Sequence, residues 1–342
     1  MGNILDINTR TNQNGGSPNS PTIIETKQTL DFCEDFVKNT NPTFIFKVSQ
    51  LSGRLTYEQA LSEFEEANVI KPEMHLGQMK LFFCELLFLT KYIADANKVL
   101  YVGAAKGYHI SKLADLFPNV IFDLWDPGQF DLFPRDNMRI YNKFFTTDTA
   151  KIYAQSDDKI LFMCDIRNLS IAQKIKNLDG IAADEIVDND MRLQAEWIKI
   201  INPIYAYLKF RLPWFTDYSK YLSGTIYLQP YAPTGTEARL MTNNYVDYVM
   251  YNNKEYDEKM AFFNFRIRFN TSYPRWDKIC HQYKLKNCWD TAYCLYVTDY
   301  YLRKIHGIRS DEKTGQLYME IVNFHIQKYG KKYDILFEKT KN

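Results

Sequence analysis

Short apolar segments alternate with amphipathic ones through the middle of the chain. The apolar segments, each of a length typical of a buried strand, occupy residues 98–102, 120–125, 138–142, 160–164 and 204–210, with shorter ones at 225–228 and 239–241. Helical periodicity covers residues 107–117 and 185–201 between them. Because strands that alternate with helices favour a parallel, doubly wound sheet, this pattern predicts an α/β fold.

Further helical patterns precede the first strand, and the two ends of the chain differ from its middle. Helices are predicted over residues 56–68 and 76–94. Residues 1–21 are rich in Asn, Gly, Ser and Pro, which predicts a flexible tail. Residues 254–342 are helix-prone and rich in Tyr and Lys, and we expect them to pack on one edge or face of the sheet. The prediction is one domain over residues 22–342, with its core at about 76–250.

Composition narrows the class of protein. The chain has 342 residues, of which 46% are hydrophobic and 24% charged, which excludes a largely disordered or fibrous protein. The net charge is only +1, so any contact with nucleic acid must come from a local basic patch. No apolar run approaches the roughly 18 residues that a membrane span needs, so no membrane partner is expected. The six cysteines form no CxxC pair, which favours reduced thiols over a structural metal site.

A glycine-rich turn follows the first predicted strand, in the unit KVLYVGAAKGYHISKLADLF. Gly103 and Gly107 allow a sharp turn and a close approach of the backbone to a ligand. The dinucleotide fingerprint GxGxxG is absent, but Asp126 ends the second strand, where an acid can accept hydrogen bonds from ribose hydroxyls. The unit indicates an adenosine-type cofactor; the alternative is an ordinary strand-to-helix turn with a surface aspartate.

Four charged residues occur in unusually apolar contexts. They are Lys80 within a helix, Asp165 at the end of a strand, Lys209 in another strand, and Glu237 after a turn. Singly, each fits a structural role, such as a snorkelling lysine, a cap, a solvent-facing strand residue or a pair between Glu237 and Arg239. Together they form a Lys-Asp-Lys-Glu set, with Asp165 and Lys209 at the ends of neighbouring predicted strands.

Several segments in order carry a resemblance to a known family. They are GQMKLFFCELLFL, YVGAAKGYHI, CDIRN, INPIYAYLKFRLPW, LQPYAPTGTEARL and YDEKM, within roughly residues 60–265. The chain resembles the poxvirus cap-specific mRNA 2′-O-methyltransferases, which also serve as the small processivity subunit of the viral poly(A) polymerase. The resemblance implies a Rossmann-like S-adenosylmethionine-dependent methyltransferase fold, with a mostly parallel central sheet flanked by helices. It implies S-adenosylmethionine as donor, S-adenosylhomocysteine as product, capped mRNA as acceptor and no metal.

In this family the Lys-Asp-Lys-Glu set is catalytic, which assigns that role to Lys80, Asp165, Lys209 and Glu237. A ribose 2′-hydroxyl is a poor nucleophile until its proton is removed, and a lysine with a pKa of about 10.4 is protonated at pH 7. Lowering that pKa to about 7–8 requires roughly 4 kcal/mol of differential interaction. Burial of Lys209 and the approach of Lys80 favour this shift, and the two carboxylates oppose it. Orientation of the hydroxyl is a second contribution.

The resemblance also implies the residues of the two ligand pockets. The donor pocket would use Gln78, Tyr101, Gly103, Gly107, Asp126, Phe145 and Asp165. The family has Pro at the position of Lys106 and Arg at the position of Gly128, and these departures concern the donor contacts.

The cap pocket needs two rings around a cationic methylated guanine and acids on its donor edge. Trp214 matches one ring, and the other falls at Phe64 or Tyr57. Asp257 matches one acid, and the second falls near Thr216, where the adjacent Asp217 is preferred. Arg167 and Arg211 are the candidate contacts to transcript phosphates.

The sequence therefore predicts an enzyme that methylates the ribose 2′-hydroxyl of the first transcribed nucleotide of m7G-capped mRNA. The alternative is an RNA-binding processivity subunit of a viral poly(A) polymerase, with or without this activity, and a third is a methyltransferase for another RNA group. By resemblance, its location is the cytoplasm of an infected cell or the virion.

Overall fold

A computed structural model describes residues 42–66, 75–168 and 180–338. Seven strands form a central sheet in the order β3-β2-β1-β4-β5-β8-β7, and β6 and β9 form a separate antiparallel pair. The strands are β1 (Lys98–Val102), β2 (Ile121–Trp125), β3 (Met138–Tyr141), β4 (Ile160–Cys164), β5 (Tyr205–Phe210), β6 (Tyr218–Leu222), β7 (Thr225–Tyr227), β8 (Ala238–Thr242) and β9 (Tyr248–Asn252). The first five strands of the sheet order are parallel, and β8 and β7 are antiparallel to their neighbours.

Helices cover both faces of this sheet. In chain order they are α1 (Tyr57–Glu66), α2 (Gly77–Tyr92), α3 (Tyr108–Leu116), α4 (Thr147–Ala154), α5 (Gly180–Ile201), α6 (Asn253–Phe262), α7 (Asp277–Tyr283), α8 (Trp289–His306) and α9 (Asp311–Tyr329). Strands β1, β4 and β8 are buried at every position, as expected for central strands covered on both faces. None of the helices in these ranges is long and apolar enough to cross a membrane.

The register of the sheet brings the ends of its strands to one edge. Val102 pairs with both Trp125 and Cys164, so β1, β2 and β4 end together. Cys164 pairs with Leu208, which places Lys209 one residue beyond β4. Because β8 runs antiparallel to β5, it begins at the same edge, and Arg239 pairs directly with Lys209. The residues that follow β1, β2 and β4 and those that precede β8 therefore surround one crevice.

The seven strands of the sheet agree with the sequence pattern to within a residue or two, as do helices α2, α3 and the end of α5. Strands β6 and β9 and helix α4 were not expected from the sequence. The helix-prone C-terminal region does pack on the sheet's helical layer, because α8 lies against α2. The predicted tail at residues 1–21 lies outside the described residues.

A buried ion pair fixes the C-terminal helices to the sheet. The Nε of Arg268 lies 2.9 and 3.0 Å from the two carboxylate oxygens of Asp290, at the start of α8. Asp290 also accepts a hydrogen bond of 2.7 Å from the backbone N–H of Tyr231, and both charged side chains are fully buried. Because α8 packs on α2, which carries Lys80, this pair supports one wall of the crevice.

Candidate active site

Lys80, Asp165, Lys209 and Glu237 converge at the edge of the sheet. Lys80 Nζ lies 2.5 Å from Glu237 Oε1, and Lys209 Nζ lies 2.8 Å from Glu237 Oε2 and 3.1 Å from Asp165 Oδ1. Lys80 comes from α2, whereas Asp165, Lys209 and Glu237 come from the ends of β4, β5 and β8. Their positions in the sequence differ by as many as 157 residues, so the fold alone brings them together.

A fifth charged residue, Arg239, completes this cluster. Its guanidinium is fully buried and lies 2.7 Å from Asp165 Oδ1 and 3.4 Å from Glu237 Oε1. Its Nε donates a hydrogen bond of 2.9 Å to Gln229, whose own amide donates to the backbone oxygen of Glu237 at 2.8 Å. Sequence reasoning named Arg239 only as a possible structural partner of Glu237. The pattern of β8 contained a signal for its role, since a charged residue in a strand buried at every position needs a buried partner.

The charges of the cluster determine its protonation. Burial lowers the pKa of Lys80, and the neighbouring Arg239 and Lys209 add to this effect while Glu237 opposes it. Burial raises the pKa of Asp165, but Arg239 and Lys209 outweigh it, so the pKa lies below its ordinary value. Burial also raises the pKa of Glu237, but the neighbouring cations Lys80, Lys209 and Arg239 outweigh it, so this pKa lies well below its ordinary value. Both acids are therefore ionised at neutral pH and hold the lysines in place.

Helix α5 holds the backbone of Lys209. The side-chain amide of Gln194 donates to the Lys209 carbonyl at 3.1 Å and accepts from the Lys209 N–H at 3.1 Å. Lys209 lies beyond the last residue of β5 that pairs with β4, so Gln194 replaces the missing strand partner on that side. The position of the Lys209 ammonium thus depends on a buried residue that carries no charge.

A cavity of about 690 Å³ opens on one side of the cluster. Five of the residues predicted for a donor pocket line it, and these are Gln78, Gly103, Asp126, Phe145 and Asp165. Lys80 of the charged cluster lines it as well. Tyr101 does not line this cavity but lies beneath it, fully buried, with its hydroxyl 2.6 Å from Glu85. Gly107 is also absent from the lining and instead begins helix α3.

The glycine turn forms the floor of this cavity. Gly103 has a φ of +81°, and a Cβ at this position would lie 2.7 Å from the backbone carbon of Asp165. Gly107 has a φ of +72°, so glycine is required at both positions. Asp126 is oriented by the backbone N–H groups of Ala105 at 3.1 Å and Gly128 at 2.7 Å. The bond from residue 128 uses a backbone N–H that the family's Arg would also carry, so the departure from the family at Gly128 does not affect it.

A second cavity of about 310 Å³ lies on the other side of the cluster. Its wall includes Lys209, Glu237, Arg211 and Trp214, and Arg167 lines both cavities. Arg167 also contacts Glu237 Oε2 at 2.8 Å. The charged cluster therefore stands between two adjacent spaces, with Lys80 and Asp165 on the first and Lys209 and Glu237 on the second.

The residues predicted for cap binding are only partly brought together. Trp214 is 56% exposed at the second cavity, and the guanidinium of Arg211 lies over its ring at 4.2 Å from the centroid. Asp217 is exposed and does not line the cavity. The side chain of Phe64 lies outside the described part of the chain.

The alternative ring at Tyr57 packs on Phe265, and burial raises its pKa to about 12. Its electrostatic neighbours include Asp257, so Tyr57 lies on the same side of the molecule as that candidate acid.

Asp184, which sequence reasoning did not single out, lies close to this region. It is buried, and one oxygen accepts from the backbone N–H of Phe215 at 2.6 Å. Its other oxygen and Oδ1 of Asp257 are both buried without a hydrogen-bond partner among the described residues. Two acceptors without a partner thus lie beside the second cavity, although neither Asp184 nor Asp257 lines it.

The Asp257→Asn variant should gain stability relative to the wild type at pH 8, and should gain less at pH 5. Burial raises the pKa of Asp257 to about 7, and Asp184 adds to this while Arg211 opposes it. The folded state therefore retains a proton that the unfolded state, with a pKa of about 3.9, releases. Stability of the wild type falls as pH rises from about 4 to 7, and the Asn variant lacks this loss. Thermal unfolding at the two pH values measures it.

The exposed Asp217 provides the matched control, because Asp217→Asn should shift the unfolding temperature little and equally at pH 5 and pH 8. An equal shift at both pH values for Asp257→Asn would contradict the assigned ionisation.

The sheet order and the charged cluster define the class of protein. Five parallel strands followed by an antiparallel pair, with a glycine turn after β1, form the Rossmann-like methyltransferase fold that the resemblance implied. The chain belongs to the poly A polymerase regulatory subunit family, whose sequence model matches residues 39–323.

Individual proteins are similar to parts of this chain. The cap-specific mRNA (nucleoside-2′-O-)-methyltransferase of fowlpox virus (strain NVSL) is 28% identical over 255 residues, which span 67% of this chain and 77% of that protein. The enzyme of the same name from myxoma virus (strain Lausanne) is 28% identical over 221 residues, covering 57% of this chain and 62% of that protein. Bluetongue virus VP4, an RNA-capping protein, aligns in structure with a TM-score of 0.36 and 14% identity, over 52% of this chain and 30% of its own.

Proposed function

We propose that this protein transfers a methyl group from S-adenosylmethionine to the ribose 2′-hydroxyl of the first transcribed nucleotide of m7G-capped RNA. The observation that carries the proposal is the position of the Lys80, Asp165, Lys209 and Glu237 cluster between two cavities. A transfer reaction needs such an arrangement, with donor and acceptor on opposite sides of the groups that align them. The curated names of the fowlpox and myxoma relatives support the same reaction.

The residues of the larger cavity fit S-adenosylmethionine. Asp126 is held by two backbone N–H groups and can accept from ribose hydroxyls. The absence of a side chain at Gly103 lets the turn pack closely on the backbone of Asp165 at the cavity wall. When bound, this donor supplies an electrophilic methyl group on a sulfonium. Phe145 forms an apolar wall and packs against Trp197 with ring centroids 5.1 Å apart, which excludes water from that side.

The cluster then acts on the acceptor hydroxyl. We assign Lys209 as the group that takes the 2′-hydroxyl proton, because it lines the acceptor cavity. Its contacts with both carboxylates fix its position there. Two buried cations, Lys80 and Arg239, and the partly exposed Lys209 stand against the two carboxylates, so these five groups carry one positive charge in excess when all are ionised. Asp165 and Glu237 hold the two lysines in a fixed geometry, so that the hydroxyl oxygen meets the methyl carbon in line.

Recognition of the cap would use the rim of the second cavity. Trp214 offers an exposed ring for stacking on a cationic base, and the acceptors of Asp184 and Asp257 suit the N–H groups of a guanine edge. Arg167 and Arg211, on the cavity wall, would contact transcript phosphates.

Transfer of tritium from labelled S-adenosylmethionine to short RNA tests the proposal. We expect incorporation into m7G-capped RNA, little into the same RNA without a cap, and inhibition by the dinucleotide m7GpppG. Nuclease digestion should place the label on the 2′-oxygen of the first nucleotide. Equal labelling of uncapped RNA, or failure of the dinucleotide to compete, would contradict cap recognition and would indicate methylation of another RNA group.

A second candidate function follows from the family itself, which is described as the regulatory subunit of poly A polymerase. In this function the chain binds a catalytic polymerase subunit and RNA, and both roles can reside in one protein. Co-elution with a cognate polymerase in gel filtration tests it, with the Lys209→Met variant as a control that should still co-elute.

A further inference from the structure

Four polar side chains form a hydrogen-bonded series that starts at the wall of the larger cavity. Gln78, on the cavity wall, accepts a hydrogen bond at 2.9 Å from the ring Nδ1 of His109. The Nε2 of His109 lies 2.8 Å from one oxygen of Glu85, and the other oxygen of Glu85 accepts from the hydroxyl of Tyr101 at 2.6 Å. His109, Glu85 and Tyr101 are each no more than 1% exposed. The proposed chemistry of the charged cluster uses none of these three.

The hydrogen bonds fix where the protons lie. Gln78 Oε1 only accepts, and the backbone N–H of His109 also points to it at 3.5 Å, so His109 Nδ1 must carry a proton. Burial and the charge of Glu85 raise the pKa of Tyr101 well above its ordinary value, so its hydroxyl donates to Glu85. One further proton must lie between His109 Nε2 and Glu85, since two lone pairs would repel at 2.8 Å. The side chains of His109, Glu85 and Tyr101 therefore have defined hydrogen-bond partners.

This arrangement leaves one group free to act on a ligand. With Oε1 turned towards His109, the Nε2 amino group of Gln78 has no partner among the described residues and faces the cavity that Gln78 lines. An unrestrained glutamine amide would present its oxygen or its nitrogen with similar ease. His109 and Glu85 remove that freedom.

We propose that Glu85 and His109 are positioning residues that lock the Gln78 amide as a hydrogen-bond donor to the carboxylate at the amino-acid end of the donor substrate. The inference rests on the proposed function, because it takes S-adenosylmethionine as the ligand. The two acids on the cavity wall, Asp126 and Asp165, accept hydrogen bonds and suit hydroxyl or ammonium groups. A ligand carboxylate needs donors instead, and the locked Gln78 amide provides one.

Two probes separate this role from a general effect on the cavity. S-adenosylhomocysteine has the carboxylate, whereas 5′-methylthioadenosine has the same nucleoside and thioether without it. His109→Phe should weaken binding of S-adenosylhomocysteine by about fivefold to tenfold, because the released Gln78 side chain must then lose its rotamer freedom when the ligand binds. Binding of 5′-methylthioadenosine should change by less than about twofold, which also shows that the variant is folded. Isothermal titration calorimetry measures both.

Two further variants test the path of the effect. Gln78→Leu should weaken binding of S-adenosylhomocysteine to a similar degree. Combining it with His109→Phe should add little, since both changes act on the same contact of the Gln78 amide. Glu85→Gln should keep affinity within about twofold, because its amide can donate to His109 Nε2 and still accept from Tyr101.

The inference is overturned if His109→Phe weakens both probes equally or neither, if its effect adds fully to that of Gln78→Leu, or if Glu85→Gln is as damaging as His109→Phe. A wild-type protein that binds neither probe would instead contradict the proposed function. The variants therefore test the positioning role of Glu85 and His109, whereas binding of the probes to the wild type tests S-adenosylmethionine as the donor substrate.

Discussion

Replacing Lys209 by Met should reduce methyl transfer to capped RNA by about a thousandfold or more, while binding of S-adenosylhomocysteine stays within about threefold of wild type. Lys209 Nζ is the one ammonium in contact with both carboxylates of the cluster, and it lines the acceptor cavity rather than the donor cavity. Its loss removes the assigned base and one of the two lysines that align the hydroxyl. Single-turnover methyl transfer and calorimetric binding of the product measure the two effects separately.

The fold should survive this change. Asp165 keeps its contact with Arg239, and Glu237 keeps Lys80 and Arg167, so neither acid is left without a cation. Lys199→Met, at an exposed position of α5, is the matched control and should leave transfer unchanged. If Lys209→Met retains turnover within about tenfold of wild type, the proton acceptor is another group, and Lys80 is the next candidate because burial lowers its pKa.

The sheet could be predicted from the sequence because its strands are short, apolar and separated by clear helical patterns. Strands β1 and β4 are buried at every position, and apart from Lys98 their residues are predominantly apolar, so their bounds were predicted correctly. Strands β6 and β9 have exposed residues such as Tyr218 and Met250 among buried ones and pair only with each other. Their composition does not distinguish them from a loop, and only tertiary pairing makes them strands.

The same reasoning applies to the site. Charged residues at strand ends could be found because the carboxyl ends of parallel strands meet at one edge. The apolar surroundings of Arg239 in β8 indicated a buried partner, but its place in the cluster depends on antiparallel pairing with Lys209, which the sequence does not specify. Gln194, His109 and Glu85 are polar residues on helices, and their functions follow only from which strand or cavity each helix covers.

Loss of Arg239 should be the most destabilising change in the cluster. Its fully buried guanidinium contacts Asp165, Glu237 and Gln229, so Arg239→Met leaves acids buried with less compensation. Removing one partner from a buried ionic network costs about 3–5 kcal/mol. Urea unfolding at pH 7 should show a loss of this size. Arg192→Met, at an exposed position of α5 in contact with Asn189, should change the free energy of unfolding by less than about 0.5 kcal/mol.

The pH dependence of this loss distinguishes an electrostatic role of Arg239 from packing. Although burial raises it, the pKa of Asp165 is held low mainly by Arg239 and Lys209, so its contribution to stability is full above the unfolded value of about 3.9 and is lost as pH falls below it. The difference in unfolding free energy between wild type and Arg239→Met should therefore be constant from about pH 5 to 8 and shrink below pH 4. Arg239→Lys should recover only part of it, because one ammonium cannot span both acids and Gln229. A difference independent of pH down to 3 would mean that Arg239 stabilises the site by filling space, and the excess positive charge assigned to the cluster would then not come from this residue.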